Sequence, residues 1–496
     1  MSWTGAPGAA EGQGRQRFAA GTLARTTDRL QGRTPEEARL RALWQAAQGG
    51  AGEVLRASRA RTVLRVRGGE RGDWVLKIYH PERRRDAVRG WLRGLAPPPA
   101  RREAALFAAL RPALPGLAQP VLEEQLAPGV GLLARPWIEG ASALEALSAG
   151  DLAAATQAGH GLALLHSAGW SDPDLHPRDL VLSPGPCPLL PLDLGHARCT
   201  PAGAPPLAAR ADVLLFLAGL PPEAADAVAA RLLAAYAEAS RTRPRPPWLD
   251  WRAGTWRVLV RALRRRVLWR QSARCRRDNP DFERVAGGAR RRGVAPPPPV
   301  AEKVLSSGRR TRVLRRGDQV TKLYLRAGWR RLAPADPAGR AWRRLYCLEL
   351  HGIPAARARA WSRDASACAL TTELIAGRPA LSSDAPALAR WLARLHAAGL
   401  GLRDAKPRNF CMGTDGGAVL VDADGVRCAS APARDLGRLL AEAPADSALE
   451  EAIWSAYDPL AAPALRRSAA RHAARFRALL ARARRDSSRA SAPASP

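Results

Sequence analysis

Lysine is almost missing from this chain. Of its 78 basic residues only Lys77, Lys303, Lys322 and Lys406 are not arginine, and asparagine is rarer still, at Asn279 and Asn409. Acidic residues are also short, 45 against those 78, which leaves a formal net charge of +33. That imbalance excludes a surface indifferent to anions; nucleic acid, phosphorylated glycans or an anionic membrane face are the partners it draws, with nucleic acid the least expected of the three. The seven cysteines are odd in number and none sits at a CxxC or Cys/His spacing. A fully paired disulfide framework and a zinc module are thereby excluded, and the thiols read as free in a reducing compartment. Apolar runs free of charge are few. Leu152–Ser171 is long enough to span a bilayer, but Gln157, His160, His166 and the glycines within it mark a buried amphipathic helix. Met1–Pro7 lacks the charged-then-apolar pattern of a secretion signal. The chain reads as cytoplasmic, with a peripheral place at the inner membrane open to it.

A lysine that persists against so much arginine points to chemistry a guanidinium cannot do, since an ammonium is a compact point charge on a thin stem and arginine a wide planar fork. Three of the four recur in related settings. Lys77 lies in Trp74-Val-Leu-Lys-Ile-Tyr79, Lys322 in Val320-Thr-Lys-Leu-Tyr324, and Lys406 in Arg403-Asp-Ala-Lys-Pro-Arg-Asn409. Lys303 has no evident role. With 496 residues the chain is too long for one ordinary domain, and it repeats itself. Leu165-His-Ser-Ala-Gly169 through Asp179 aligns without a gap on Leu395-His-Ala-Ala-Gly399 through Asn409. Pro191-Leu-Asp-Leu-Gly195 matches Val421-Asp-Ala-Asp-Gly425, Arg210-Ala-Asp212 matches Arg434-Asp435, and Ala235-Tyr236 matches Ala456-Tyr457. Matched pairs in one order imply two copies of one domain.

The expected organisation is a partly disordered N-terminal tail over 1–45, with one helical stretch that Thr34 would cap, then a first domain over 46–240. A basic, Pro-rich linker with lead-in strands (Pro244–Trp251, Pro296–Pro299) follows over 241–300, then a second domain over 301–485 and a disordered tail over 486–496. Val63–Arg67 and Asp73–Tyr79 read as a hairpin across a Gly68–Gly72 turn, Glu103–Leu110 as a helix and Gly131–Ile138 as a strand. In the second copy the same roles fall to Thr311–Arg315, Gln319–Leu325, Gly339–Leu350 and Ala369–Ile375.

Phosphoryl transfer from ATP requires a cation on the phosphates, oxygen ligands for Mg²⁺, and a carboxylate to take the acceptor's proton. Asp404 opens Asp-x-x-x-x-Asn409, which puts a base and a metal ligand on one short loop. Asp422, behind the apolar Val419-Leu-Val421, is a second ligand; Lys322 supplies the phosphate cation, and Lys406 can neutralise the transferred group. The first copy offers Asp174 as base, Asp179 and Asp193 as metal ligands, and Lys77 as phosphate cation.

These residues together resemble the protein-kinase-like superfamily, and within it the bacterial lipopolysaccharide core kinases (the Kdo/heptose kinase, InaA-like family). The resemblance rests on Lys322-Leu-Tyr, Leu395-His-Ala-Ala-Gly, Leu420-Val-Asp-Ala-Asp and Arg434-Asp-Leu, and it covers both copies. It implies an α+β fold of two tandem protein-kinase-like domains, each with a small β-rich lobe and a helical lobe. It further implies ATP and Mg²⁺ as cofactors and a lipopolysaccharide-core sugar or similar glycolipid as acceptor. It also implies a helix glutamate paired with the strand lysine; Glu103 fills that role in the first copy, whereas the second has Ala341. Asp179 stands in the first copy where Asn is usual. His166 and His396, at the end of an apolar helix, suit hydrogen bonding better than catalysis. Two other functions stay open at this point: a catalytically inactive tandem scaffold that binds nucleotide or a partner, and a protein Ser/Thr kinase, towards which Asp-x-Lys-Pro-x-Asn leans.

Overall fold

In the strand Arg61–Val66 every second residue, Thr62, Leu64 and Val66, is buried, as a sheet with one covered face requires. The covering element is the helix Pro35–Ala46 (α1), whose Leu40, Leu43 and Trp44 pack on Leu64, Val66, Trp74, Leu76 and Ile78. These coordinates are a computed structural model that describes residues 35–47, 49, 52–57, 61–67, 72–80, 98–114, 117, 122–127, 130–185, 187–221, 225–240, 255–279, 281–296, 303–308, 310–325, 336–364, 367–444, 446–458 and 461–490. The chain divides into two compact units, Met1–Leu263 and Arg264–Pro496.

The first unit opens with an antiparallel five-stranded sheet. Its strands are β1 (Gly52–Ala57), β2 (Arg61–Val66), β3 (Trp74–Tyr79), β4 (Leu122–Ala127) and β5 (Val130–Pro136), in the order β1-β2-β3-β5-β4. Strand β3 is buried along its whole length. Its even-numbered side chains meet α1, while Tyr79 joins Ala100 and Leu133 on the opposite face, under the helix Pro99–Leu110 (α2). Behind the sheet lies a helical core built on α3 (Ala143–Ser148), α4 (Leu152–Ser167), α5 (Pro206–Ala218) and α6 (Ala225–Ala239). Two small antiparallel sheets edge it: Ala141–Ser142 (β6), Leu180–Leu182 (β8) and Leu189–Pro191 (β9), and the pair Trp170–Ser171 (β7) with Arg198–Cys199 (β10). The charge-free stretch from Leu152 is α4, capped by the Asp151 carboxylate and largely buried. Gly159 lets it touch α6: a Cβ there would lie 2.4 Å from the Leu232 carbonyl oxygen. Among the described residues no helix is long and apolar enough to cross a membrane.

The helix Thr255–Gln271 (α7) starts inside the span expected to be a linker; Trp256, Leu259 and Leu263 pack on the first unit's core. In the second unit the sheet has seven antiparallel strands: β11 (Phe282–Val285), β12 (Gly288–Arg291), β13 (Lys303–Ser307), β14 (Thr311–Arg316), β15 (Gln319–Leu325), β16 (Ala358–Arg363) and β17 (Ala367–Glu373). Their order is β11-β12-β16-β17-β15-β14-β13. The helix Pro337–Leu350 (α8) lies against this sheet, with Trp342 and Tyr346 edge-on to Phe282. The helical core holds α9 (Ala385–Ala397), α10 (Pro432–Glu442), α11 (Ser447–Tyr457) and α12 (Pro463–Ala490). Small sheets again edge it: Gly377–Pro379 (β18), Phe410–Gly413 (β20) and Ala418–Leu420 (β21), and the pair Gly401–Leu402 (β19) with Val426–Arg427 (β22).

Three expected boundaries move. The 1–45 tail contains α1, which is part of the first core. The 241–300 span, expected as a linker with lead-in strands, contains the whole of α7 as well as the strands β11 and β12, and Phe282 packs edge-on to Trp342 in the second unit. Helix α12 runs to Ala490, past the start of the tail expected to be disordered, since Ser487-Ser-Arg-Ala490 contains no helix breaker before Pro493. Thr34, the turn at Gly68–Arg71, Pro244–Trp251, Pro297–Pro299 and residues 491–496 lie outside the described residues.

Candidate active site

In the first unit β3 and α2 bring Lys77 and Glu103 together. The Lys77 ammonium donates to Glu103 and, at 3.0 Å, to the Leu192 carbonyl; the Tyr79 hydroxyl donates to the other Glu103 oxygen. Lys77 Nζ lies 3.5 Å from Asp193 Oδ1. Asp193 is mostly committed elsewhere. Arg61, the residue facing Tyr79 across β2 and β3, clamps it with both terminal nitrogens, at 2.8 and 2.6 Å, and the Gly195 N–H donates to it at 3.0 Å. Burial works to raise the Asp193 carboxyl, but Lys77 and Arg61 overcome it and hold the group well below the usual carboxylate range. Arg135 is fully buried beside this cluster and donates to the Leu192 carbonyl at 3.2 Å; burial lowers its pKa to about 10.

The second unit reaches a similar arrangement by different residues. Lys322 on β15 donates to Asp422 Oδ2 at 2.7 Å and to Asp424 Oδ2 at 2.8 Å, and the Tyr324 hydroxyl donates to Asp424 Oδ1 at 2.8 Å. Burial pulls the Lys322 pKa down, yet the two carboxylates carry it above its ordinary value. Asp424 thus receives the lysine and tyrosine that Glu103 receives in the first unit. Ala341, the residue aligned with Glu103, is packed in the core. Glu349 is engaged by Arg291 and takes no part. An arginine from the helix also supports each strand-end turn: Arg102 donates to the Gly195 carbonyl at 2.8 Å, and Arg344 to the Asp424 carbonyl at 2.7 Å.

Both catalytic-loop candidates hang from one kind of support. In the second unit the buried Asp435 on α10 accepts from the Leu402 N–H at 2.8 Å and from Arg427 at 2.8 Å, and lies 3.2 Å from His396 Nε2; His396 Nδ1 meets the Tyr457 hydroxyl at 2.9 Å. In the first unit Asp212 accepts from the Asp172 N–H at 2.9 Å and lies 3.5 Å from His166 Nε2, while His166 Nδ1 meets the Tyr236 hydroxyl at 2.8 Å. The histidines therefore tie helix to loop rather than facing the clefts.

The loops themselves differ. Asp404 is touched by two cations, Lys406 Nζ at 2.9 Å and Arg438 Nε at 3.5 Å. The Asn409 amide donates to the Asp404 carbonyl at 2.7 Å, which leaves its oxygen as the atom available to a cation. The Val421 N–H donates to the Asn409 carbonyl at 2.9 Å, setting Asn409 and Asp422 on adjoining backbone. In the first unit His176 stands at the Lys406 position. Burial, then Arg178, pushes its pKa down to about 4, and its Nδ1 accepts the Arg178 N–H at 3.2 Å, so the ring is neutral. Asp174 is exposed and lines a cavity of about 570 Å³ with Arg102, His196 and Arg198. A second cavity, of about 530 Å³, is lined by Arg378, Asp384, Arg390, Met412 and Thr414 and includes none of the sequence-derived site residues.

Among the described residues no three His, Cys, Asp or Glu side chains form a cluster ready to hold a metal. The second unit nevertheless has a hard-oxygen set that suits Mg²⁺ once Lys322 moves: the Asp422 and Asp424 carboxylates, about a third and two-fifths exposed, and the Asn409 amide oxygen. The first unit does not fit a divalent ion in the same way. Both Asp193 oxygens are held by Arg61, and Gly195, whose N–H meets Asp193 as the Asp424 N–H meets Asp422, stands where Asp424 would add a carboxylate, one residue off the sequence match of Gly195 with Gly425. Asp179 closes its loop on the short 3-10 turn Pro177–Asp179, 3.8 Å from Arg178. Sequence reasoning missed Arg61, His176, Asp424 and Arg438. Asp424 was legible as the second acid of Asp422-Ala-Asp and His176 as the residue aligned with Lys406; Arg61 and Arg438 gave no signal among so many arginines.

No family model matches the chain, and no curated protein matches it. Among solved structures it is similar to WbdD with the kinase inhibitor LY294002 (17% identity over 27% of this chain and 35% of that chain, TM-score 0.22). It is also similar to the bifunctional kinase-methyltransferase WbdD (19% identity, 34% and 40%, TM-score 0.21). A third similarity is to an aminoglycoside-3'-phosphotransferase of type VIII (19% identity, 36% and 85%, TM-score 0.23). The chain thus spans well under half of the WbdD chains.

Proposed function

We propose that the chain is an ATP- and Mg²⁺-dependent phosphotransferase built of two protein-kinase-like units, with the second unit doing the chemistry on a sugar hydroxyl of the lipopolysaccharide inner core. The single observation that carries this reading is the convergence in one unit of Lys322 on Asp422 and Asp424, with the Asp404–Lys406–Asn409 loop joined to the same strand end. The repeated lysine–tyrosine–carboxylate and histidine–tyrosine–aspartate groupings support two copies of one fold.

In this reading Asp404 accepts the proton of the acceptor hydroxyl as its oxygen bonds to the γ-phosphorus and the bond to the β-phosphate oxygen breaks, releasing ADP. Lys406, already 2.9 Å from Asp404, neutralises charge on the transferred group. Lys322 turns to the α- and β-phosphates. Asp422, Asp424 and Asn409 would hold magnesium, which when bound offsets the charge of the phosphate chain. The net positive chain suits an anionic glycolipid at a membrane surface. The first unit supports the alternative of an inactive partner in tandem, because its Asp193 is clamped by Arg61 and its loop lacks Lys406's charge.

The test is γ-phosphate transfer from labelled ATP to core oligosaccharide and to generic protein acceptors by the full chain. Transfer to the glycan, falling by about 10²–10⁴ in Asp404→Ala, is the expected result. Full activity in that variant, or Mg-ATP binding without transfer to any acceptor, overturns the proposal.

A further inference from the structure

Asp404 is bordered by two cations of different kinds. Lys406, on the same loop, meets its Oδ2 at 2.9 Å; Arg438, buried on α10, places Nε 3.5 Å from its Oδ1. The lysine sits on a flexible stem and is free to turn. The arginine is not. Its Nη2 is paired with Glu442 one turn further along α10, and its guanidinium lies over the Phe476 ring of α12, 5.1 Å from the centroid. Held on both sides, this guanidinium keeps one donor unused: Nε is buried and has no hydrogen-bond acceptor. A buried N–H left without an acceptor is unfavourable. Asp404 lies about 0.5 Å too far to satisfy it, a gap of the kind that catalytic hydrogen bonds close when a ligand arrives. The first unit lacks the device. Asp212 and Asp435 hold the two loops alike, by accepting the N–H of Asp172 and of Leu402. Counted from those aspartates, Leu215 and Gly219 stand where the second unit has Arg438 and Glu442.

We infer that Arg438 is a positioning residue for the transfer reaction: it fixes Asp404 through Oδ1, so that Oδ2, given up when Lys406 turns to the transferred group, is the oxygen presented to the acceptor hydroxyl. This rests on the phosphotransferase reading of the second unit. The two cations then have separate tasks. Lys406 follows the phosphoryl charge, and Arg438 stays with the base. The proton passes from the acceptor oxygen to Asp404 Oδ2 as that oxygen bonds to the γ-phosphorus. Arg438 gives up no proton, because a guanidinium stays charged throughout. Without it, Asp404 would be left to rotate on an exposed loop once Lys406 had gone, and a misplaced base loses rate more than it loses affinity.

The experiment is steady-state transfer of labelled γ-phosphate by the full chain carrying Arg438→Met, which keeps an apolar stem and removes the charge. A fall in kcat of about 10- to 100-fold is expected, with KM for ATP held within about 2-fold. Arg438→Lys, whose ammonium falls near the place of the guanidinium carbon, is expected to recover about 5-fold or more of that loss. Glu442→Gln removes the other charged partner of Arg438 and is expected to stay within about 3-fold of wild type. In an Asp404→Ala chain, adding Arg438→Met is expected to cost less than about 3-fold, since no base is left to position. An unchanged kcat in Arg438→Met overturns the inference. So does an equal loss in the Met, Lys and Glu442→Gln variants, which would make Arg438 a brace for its helix, or a full further loss in the Asp404→Ala chain. A wild-type chain that transfers to no acceptor overturns the phosphotransferase reading and this role with it, whereas transfer indifferent to Arg438 overturns this role alone.

Discussion

At the scale of single residues, the two units solve one problem with opposite choices. A lysine on a buried strand needs a carboxylate, and the first unit takes it from helix α2 as Glu103, the second from the strand end as Asp424. The exchange is testable as a cycle. Asp424→Gly is expected to lower kcat/KM for transfer about 10- to 100-fold, and Ala341→Glu in the same chain to recover about 10-fold of it, as coupled neighbours do. No recovery would assign Asp424 to metal binding alone. A second residue gives a pH signature. Burial, and then the neighbouring Asp212, raises the Asp172 carboxyl to about 6 against an ordinary 3.8. The folded state therefore holds this proton more tightly than the unfolded chain does. The group's contribution is fully favourable below about pH 4 and is lost as pH rises through 6, leaving a cost of about 2–3 kcal/mol. Asp172→Asn is expected to slow amide exchange in Trp170–Leu182 by about 30- to 150-fold at pH 7.5 and to leave it unchanged at pH 4. The lysines, the loop acids and Asn409 were legible in the sequence because each is rare or spaced like a motif. Arg61 was not, because one arginine among so many carries no information until its partner across the sheet is known.

Elements bear their own constraints. Helix α10 is tied to the loop that follows β19 through Asp435, which is fully buried and receives Leu402 N–H, Arg427 and His396. Asp435→Ala leaves the partly buried Arg427, the buried His396 and the Leu402 N–H without their acceptor and is expected to cost about 1–3 kcal/mol, read by denaturant unfolding, with transfer lost alongside. The same helix meets α12 at Gly437, where a Cβ would lie 2.5 Å from His472 Cβ and 2.7 Å from the Ala469 carbonyl oxygen. Gly437→Val is expected to cost about 1–3 kcal/mol from overpacking, and Gly437→Ala less. Most elements near the clefts could be read from alternation and from the Gly and Pro that end them: β15 over Gln319–Leu325, and β2, β3, α2 and α8 to within a few residues at either end. Strands β11 and β12 were harder. Their alternation is four residues long and arginine-rich, and what fixes them is Phe282 packing on Trp342 and Tyr346, a contact between residues far apart in sequence.

For the molecule as a whole, the cysteines make a simple census. All seven are free; Cys187, Cys275, Cys347 and Cys368 are buried, and Cys199, Cys411 and Cys428 half-buried. Burial pushes Cys187 up to about 11 and both Cys275 and Cys347 up to about 12, so thiolate is scarce at neutral pH. Native protein is expected to react quickly with an aromatic disulfide reagent at no more than three thiols, and denatured protein at seven. Net charge was fully legible at this scale, whereas its purpose was not, because charge summed over a chain says nothing about which carboxylates it meets.

One ammonium, that of Lys322, closes on two carboxylates in the second unit. The resting cleft is therefore its own counter-ion. A phosphate ligand does not enter an empty positive hole; it has to win Lys322 away from Asp422 and Asp424, so binding exchanges one set of ion pairs for another instead of adding a new one. On the phosphotransferase reading, that exchange lowers the affinity for a phosphate by the free energy of the ion pairs given up, and lowers it alike for the bound ground state and for the transition state.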